Sequence, residues 1–220
     1  MSTKFAIILS GCGRFDGSET KEAVLTLLAI DKMGAQYQCF APNQPQLDVV
    51  NHLTGETAVG ETRNMLEEAA RIPHEPVLSI EEFDAQDFDA LIFPGGFGAA
   101  KNLSSFAKDG VNAMVIPVVS SVIEAMLQMN KPIGFICIAP TMIPLFYPAG
   151  VKMTIGHDKD TAKVVAQMGA EHIDCLATNI VADDRYKVVS TPAYMVAKKV
   201  HEAAEGIEKL VEKLSDWAQS

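Results

Sequence analysis

Four short stretches, KFAIIL from Lys4, AQYQCFA from Ala35, DALIFPGG from Asp89 and PIGFICI from Pro132, have interiors that are apolar on both faces. A strand with one side in water alternates apolar and polar residues, so runs of this kind have to be covered on both sides. Longer segments with helical spacing separate them. Residues 19–33 carry Val24, Leu27, Leu28 and Ile30 against polar Lys21, Glu22 and Asp31, and stop at Gly34. Helices are also expected over 62–70, 113–128, 159–168 and 195–217, with Pro117 able to shift the start of the third. The last presents Ala197, Val200, Ala204, Ile207, Leu210, Val211 and Leu214 on one face. Short apolar runs alternating with amphipathic ones are the pattern of a parallel sheet between two helical layers. AEHIDC, NIVADD and YKVVSTPAY then read as short late strands or a hairpin.

The 220 residues suit one domain spanning 1–220, since no linker, repeat or low-complexity tract divides them. With 28 acidic against 18 basic side chains, net charge -10, the chain offers no basic face for nucleic acid. Cys12, Cys39, Cys137 and Cys175 lie far apart in a chain large enough to fold without staples, which points to reduced thiols and a cytoplasmic setting. No CxxC pair suggests a metal. LSGC, ending at Cys12, has the form of a lipid-attachment box, but the apolar segment before it is too short for a signal. Residues 132–151 hold no charge, yet Pro132, Pro140, Pro144 and Pro148 would break a membrane helix there.

In an open parallel sheet the ligand crevice lies beyond the carboxyl ends of the strands, so the residues just after each strand carry the information. Three junctions stand out: SGCGRFDGSE, PGGFGAAKNL and CIAPTM. Cys137 sits where strand gives way to helix, facing free backbone amides that stabilise a thiolate. The bland reading, a small buried hydrophobe, stands beside it. Gly95 and Gly96 let the backbone approach a ligand closely and aim amides at a developing oxyanion, although glycine pairs also make plain turns. Glu19 opens the first helix, either as a capping partner or as a carboxyl held against Cys137. His172 is expected near the crevice, with His157 as the other possibility.

Together, ILSGCGRFDGSE, APNQPQLDVVNHLTGE, PGGFGAAKNLSSFA, GFICIAPTM, MGAEH and STPAYM resemble the ElbB family, the isoprenoid-biosynthesis glyoxalases. That family lies in the PfpI-like branch of the class I glutamine-amidotransferase-like superfamily, and the resemblance covers nearly the whole chain. It implies a flavodoxin-like three-layer α/β sandwich, a homodimer, and conversion of the small dicarbonyl glyoxal to glycolate without glutathione, metal or organic cofactor. By position, the resemblance makes Cys137 the nucleophile, Glu19 its carboxyl partner and His172 the site histidine. Gly96 and Ile138 supply oxyanion-binding amides, with Gly95 beside them. EHID lacks the glutamate of an amidotransferase His-x-Glu pair, and Ile138 stands where protease-like members have histidine, so glutamine hydrolysis and peptidase activity are disfavoured. A cysteine-dependent deglycase, or a redox-sensing or metabolite-binding protein without catalysis, are the alternatives.

Overall fold

The computed structural model describes residues 2–220. Nine strands form: β1 Lys4–Ile8, β2 Gln36–Ala41, β3 Leu78–Ser79, β4 Ala90–Phe93, β5 Ile133–Ile136, β6 Lys152–Met153, β7 Glu171–His172, β8 Val181–Asp183 and β9 Val188–Thr191. Seven make one sheet in the order β3-β2-β1-β4-β5-β9-β8, while β6 and β7 pair separately. Every neighbour in the large sheet is parallel except the β8–β9 pair. The four long apolar runs therefore lie side by side at the centre, and the late segments divide between a hairpin at one edge and the small sheet.

The helices are α1 Thr20–Lys32, α2 Met65–Ala69, α3 Phe97–Lys101, α4 Phe106–Asp109, α5 Pro117–Gln128, α6 Lys159–Gln167 and α7 Val200–Ala218. Pro117 does set the start of α5, at the first turn where its missing N–H costs nothing. The expected helix over 62–70 contracts to α2, capped by the Asn64 side chain on the amides of Leu66 and Glu67.

Period-two alternation sends each strand's side chains to two separate cores. Ala6, Ile8, Leu91, Phe93, Ile133 and Phe135 join Val119, Ile123 and Met126 of α5 on one face. Phe5, Ile7, Leu9, Ala90, Ile92 and Ile136 meet Ala23 and Ile30 of α1 and Ile207, Leu210 and Leu214 of α7 on the other. Phe93 and Phe135 stack with ring centroids 5.2 Å apart. This is the flavodoxin-like three-layer sandwich, and its strand order reverses between β1 and β4, so the crevice opens at the carboxyl ends of those strands.

One helix face differs from the sequence expectation. In α1, Val24 and Leu28 are exposed while Glu22, Ala23, Thr26, Ala29 and Ile30 are buried. The sheet selected the smaller side chains because α1 also packs against α7.

Close packing of α7 yields a test. A methyl group on Gly206 would strike the carbonyl oxygen of Ala177 and stand 2.6 Å from Thr191 Oγ1. Alanine favours a helix over glycine by about 1 kcal/mol, but a collision with fixed backbone costs about 1–3 kcal/mol. Gly206→Ala is therefore expected to lower the urea midpoint of unfolding. A midpoint at or above that of the wild type would show that helix and sheet are less tightly joined here.

Candidate active site

The site begins with backbone lying on backbone. Glu19 N–H donates to Gly95 O at 2.8 Å, Phe97 N–H to Arg14 O at 2.8 Å and Gly98 N–H to Gly17 O at 2.9 Å. These bonds join the loop after β1 to the turn after β4. A side chain at Gly96, whose φ is +97°, would run into the amide of Glu19 and the carbonyl of Gly17. Only glycine allows the two loops to close.

Cys137 follows β5 at φ 63°, in the left-handed region that a non-glycine residue rarely occupies. Its N–H is held by Thr191 O of β9 at 2.9 Å, which fixes the turn against the sheet. The chain continues into a 3-10 helix, Ala139–Leu145, carrying Pro140 and Pro144. A short 3-10 turn supplies little dipole, so the polarising groups are individual amides: those of Gly96 and Ile138 lie against the Cys137 sulfur and favour its anion. Those are the two amides expected at an oxyanion site.

The carboxyl against that sulfur is Glu22, about one helical turn beyond the expected Glu19. Glu22 is fully buried and its carboxyl lies beside the Cys137 side chain, close enough that each raises or lowers the other's proton affinity. Tyr194 N–H donates to its Oε1 at 3.0 Å and Gly95 N–H to its Oε2 at 3.1 Å. A Cβ on Gly95 would lie 2.5 Å from Glu22 Oε2 and collide with Cys137 Cβ, so this glycine leaves the space in which acid and thiol meet. Gly95 thus serves Glu22 with its amide, and Gly96 faces the pocket. Glu19 instead caps α1, its Oε2 accepting from Glu22 N–H at 2.7 Å. Its carboxylate lines the mouth without hydrogen-bonding the thiol.

Burial, above all, pushes the Glu22 carboxyl up to about 8, with the nearby Glu19 charge adding to it and the two backbone amides opposing. The Cys137 thiol is also driven well above its usual range by burial and by Glu22, against the pull of the Gly96 and Ile138 amides. The expectation of an amide-stabilised, readily ionised thiol meets a larger opposing effect. Near neutral pH Glu22 holds a proton, which it can donate to sulfur, and the pair carries at most one shared negative charge.

Cys137 is 7% exposed and reaches solvent through a cavity of about 570 Å³. Arg14, Glu19, Lys21, Gly96, Phe97, Ile138, Asp158, Thr161, Tyr194, Met195 and Ala197 complete the lining, and no histidine is among them. His172, in β7, is turned into the small sheet, where its Nε2 accepts from Ile155 N–H at 3.3 Å and burial lowers its basicity. The geometry therefore brings together Cys137, Gly95, Gly96 and Ile138 and replaces Glu19 with Glu22, while His172 stays outside. His157 is exposed and does not line the cavity either. No group of three potential metal ligands occurs among the described residues.

No protein-family model matches the chain. It is 39% identical over 222 residues to the Homo sapiens "Glutamine amidotransferase-like class 1 domain-containing protein 3, mitochondrial", covering 97% of this chain and 82% of that protein. To the Rattus norvegicus "ES1 protein homolog, mitochondrial" it is 40% identical over 220 residues, covering 96% and 82%. Among solved structures, an isoprenoid biosynthesis protein with amidotransferase-like domain from Ehrlichia chaffeensis superposes with a TM-score of 0.91 at 37% identity, over 98% of this chain and 99% of that one.

The buried acid makes stability depend on pH. Unfolded, Glu22 releases its proton near 4.5; folded, it keeps it to about 8. Between those values the native state binds more protons, so stability falls as pH rises, by up to about 1.4 kcal/mol per unit. Glu22→Gln removes this slope. Urea unfolding of both proteins from pH 5 to pH 8 is expected to show the variant gaining steadily on the wild type. Parallel curves would mean that Glu22 ionises normally.

Proposed function

This chain belongs to the ES1 and ElbB-like family of class I glutamine amidotransferase-like proteins, and from that premise we propose that it is a cofactor-independent glyoxalase converting glyoxal to glycolate. The observation that carries the reading is the Glu22–Cys137 contact, with the Gly96 and Ile138 amides at the same sulfur. A thiol beside a proton-sharing acid and two fixed donors suits addition to a carbonyl followed by proton relay.

In the proposed sequence, Cys137 sulfur bonds to one aldehyde carbon of glyoxal, and the new alkoxide is held by the two amides. Starting from the form in which Glu22 is ionised, the thiol proton passes through Glu22 to the alkoxide, giving a neutral hemithioacetal and leaving Glu22 a carboxylate. Glu22, as carboxylate, takes the proton from the sulfur-bearing carbon and returns it to the neighbouring carbon through an enediol. One carbon is thereby oxidised to a thioester and the other reduced to an alcohol. Water then attacks the thioester, Glu22 accepts its proton, and glycolate leaves as the thiol is restored. The balance is glyoxal plus water to glycolate, with no external oxidant or reductant.

Cys12, Cys39, Cys137 and Cys175 are all free, which supports a reducing compartment such as the cytoplasm, and a homodimer is carried forward from the ElbB resemblance as part of the proposal. No helix among the described residues is long and apolar enough to cross a membrane.

Turnover of glyoxal to glycolate by the purified protein tests the reading. Cys137→Ser is expected to abolish it, and Glu22→Gln to lower kcat by about 10²–10⁴-fold. Cys12→Ser and His172→Gln should stay within a few-fold of the wild type. Full activity in Cys137→Ser would end the proposal; loss in His172→Gln would restore a histidine role that the geometry does not supply.

A further inference from the structure

The cavity is far larger than a two-carbon dialdehyde requires. At about 570 Å³ it falls inside the ~300–1,000 Å³ range of pockets that enclose ligands of many more atoms. Its chemistry is also uneven. Arg14 and Lys21 are the cations of the lining, and neither makes an ion pair among the described residues. Arg14 lies over the Phe15 ring at 4.3 Å and Lys21 over the Tyr194 ring at 5.2 Å, contacts that orient each side chain without neutralising it.

The two acids of the lining are occupied. Glu19 caps α1, and Asp158 caps α6 through Thr161 N–H at 2.8 Å. Both carboxylates are thus turned onto helix amides. A third feature points the same way. The Tyr194 hydroxyl oxygen is buried and has no hydrogen-bond partner, although an unmade buried hydrogen bond is costly. Burial, and after it the charge of Glu19, keeps this phenol protonated, and so a donor. On a chain of net charge -10, two unpaired cations and one unused donor around a single cavity are a specific arrangement.

We propose that this pocket selects carbonyl compounds bearing an anionic group, carboxylate or phosphate, a few atoms from the reacting carbon, with Lys21 and Arg14 pairing the anion and the Tyr194 hydroxyl donating to it. The inference rests on Cys137 being the nucleophile. Phe97, Ile138 and Met195 supply the apolar wall along which the linking carbons lie. Glyoxal then acts as the smallest molecule the sulfur can attack rather than the one the walls fit.

Iodoacetate and iodoacetamide transfer the same carbon to sulfur and differ in charge, so their rates at Cys137 separate recognition from reactivity. Both rates are measured by peptide mass spectrometry and normalised to those of glutathione. The wild type is expected to favour iodoacetate by about threefold or more, with the preference shrinking at high salt. Lys21→Gln and Arg14→Gln should bring the ratio towards one, each iodoacetate rate being divided by the same variant's iodoacetamide rate, with an unchanged urea midpoint reporting that the fold is intact. Tyr194→Phe should also lower the ratio towards one. Protection of Cys137 by acetate would identify a carboxylate site, and by inorganic phosphate a phosphate site. A ratio equal to that of glutathione, a ratio indifferent to all three substitutions, or protection by neither anion overturns the inference while leaving the cysteine chemistry standing. Failure of iodoacetamide itself to label Cys137 would remove the nucleophile, and both readings with it.

Discussion

Everything at the carboxyl edge of the sheet depends on two loops touching through their backbones. The amides of Glu19, Phe97 and Gly98 bond across the gap between the β1 and β4 junctions, and any side chain at Gly96 would hold them apart. That contact fixes where α1 begins, and the first turn of α1 determines which carboxyl points inward. Glu22 reaches Cys137 because Glu19 is pinned by its own amide to Gly95 O and by its side chain to the helix end. The arrangement of acid and thiol is built here on main-chain hydrogen bonds rather than on long surface side chains.

The same burial that positions the pair governs its charge. Two acids buried side by side resist ionising together, since each anion loses most of its hydration and repels the other. Backbone amides offset part of that cost. Gly95 and Tyr194 bond Glu22, while the Gly96 and Ile138 amides lie against sulfur. Desolvation remains the larger effect for both groups. Near neutral pH the carboxyl and the thiol therefore both stay protonated, and Glu22 is the first of the two to ionise as pH rises.

Much of this was legible in the chain. Unbroken apolar runs identify the central strands, because only a doubly covered sheet tolerates them; Cys137 and Gly96 stand out from their positions after those strands, and Ile138 came through the family resemblance. The phase of α1 was not. Val24 and Leu28 suggest one buried face, but they are exposed, and the stripe that packs runs through Ala23, Thr26, Ala29 and Ile30. Glu22, four residues before Thr26, lies on that same stripe. A carboxylate on the buried side of a helix was the available signal, masked by larger apolar residues on the other side. His172 was misleading for a related reason: β7 pairs with β6 in a separate sheet, a partnership between two-residue strands that local pattern cannot announce.

The amino-acid sequence by itself determined the layered α/β architecture, the cysteine at a strand end and the glycines that admit close backbone contact, because each is encoded in local spacing and in the steric freedom of single residues. Only the tertiary structure decided which acid meets the sulfur, that the Tyr194 amide holds this acid from a segment 57 positions downstream of the cysteine by their numbering, and that burial outweighs the amides in setting the proton balance. Those outcomes depend on helix rotation and on water excluded by elements distant in sequence. Neither quantity exists until the chain has packed.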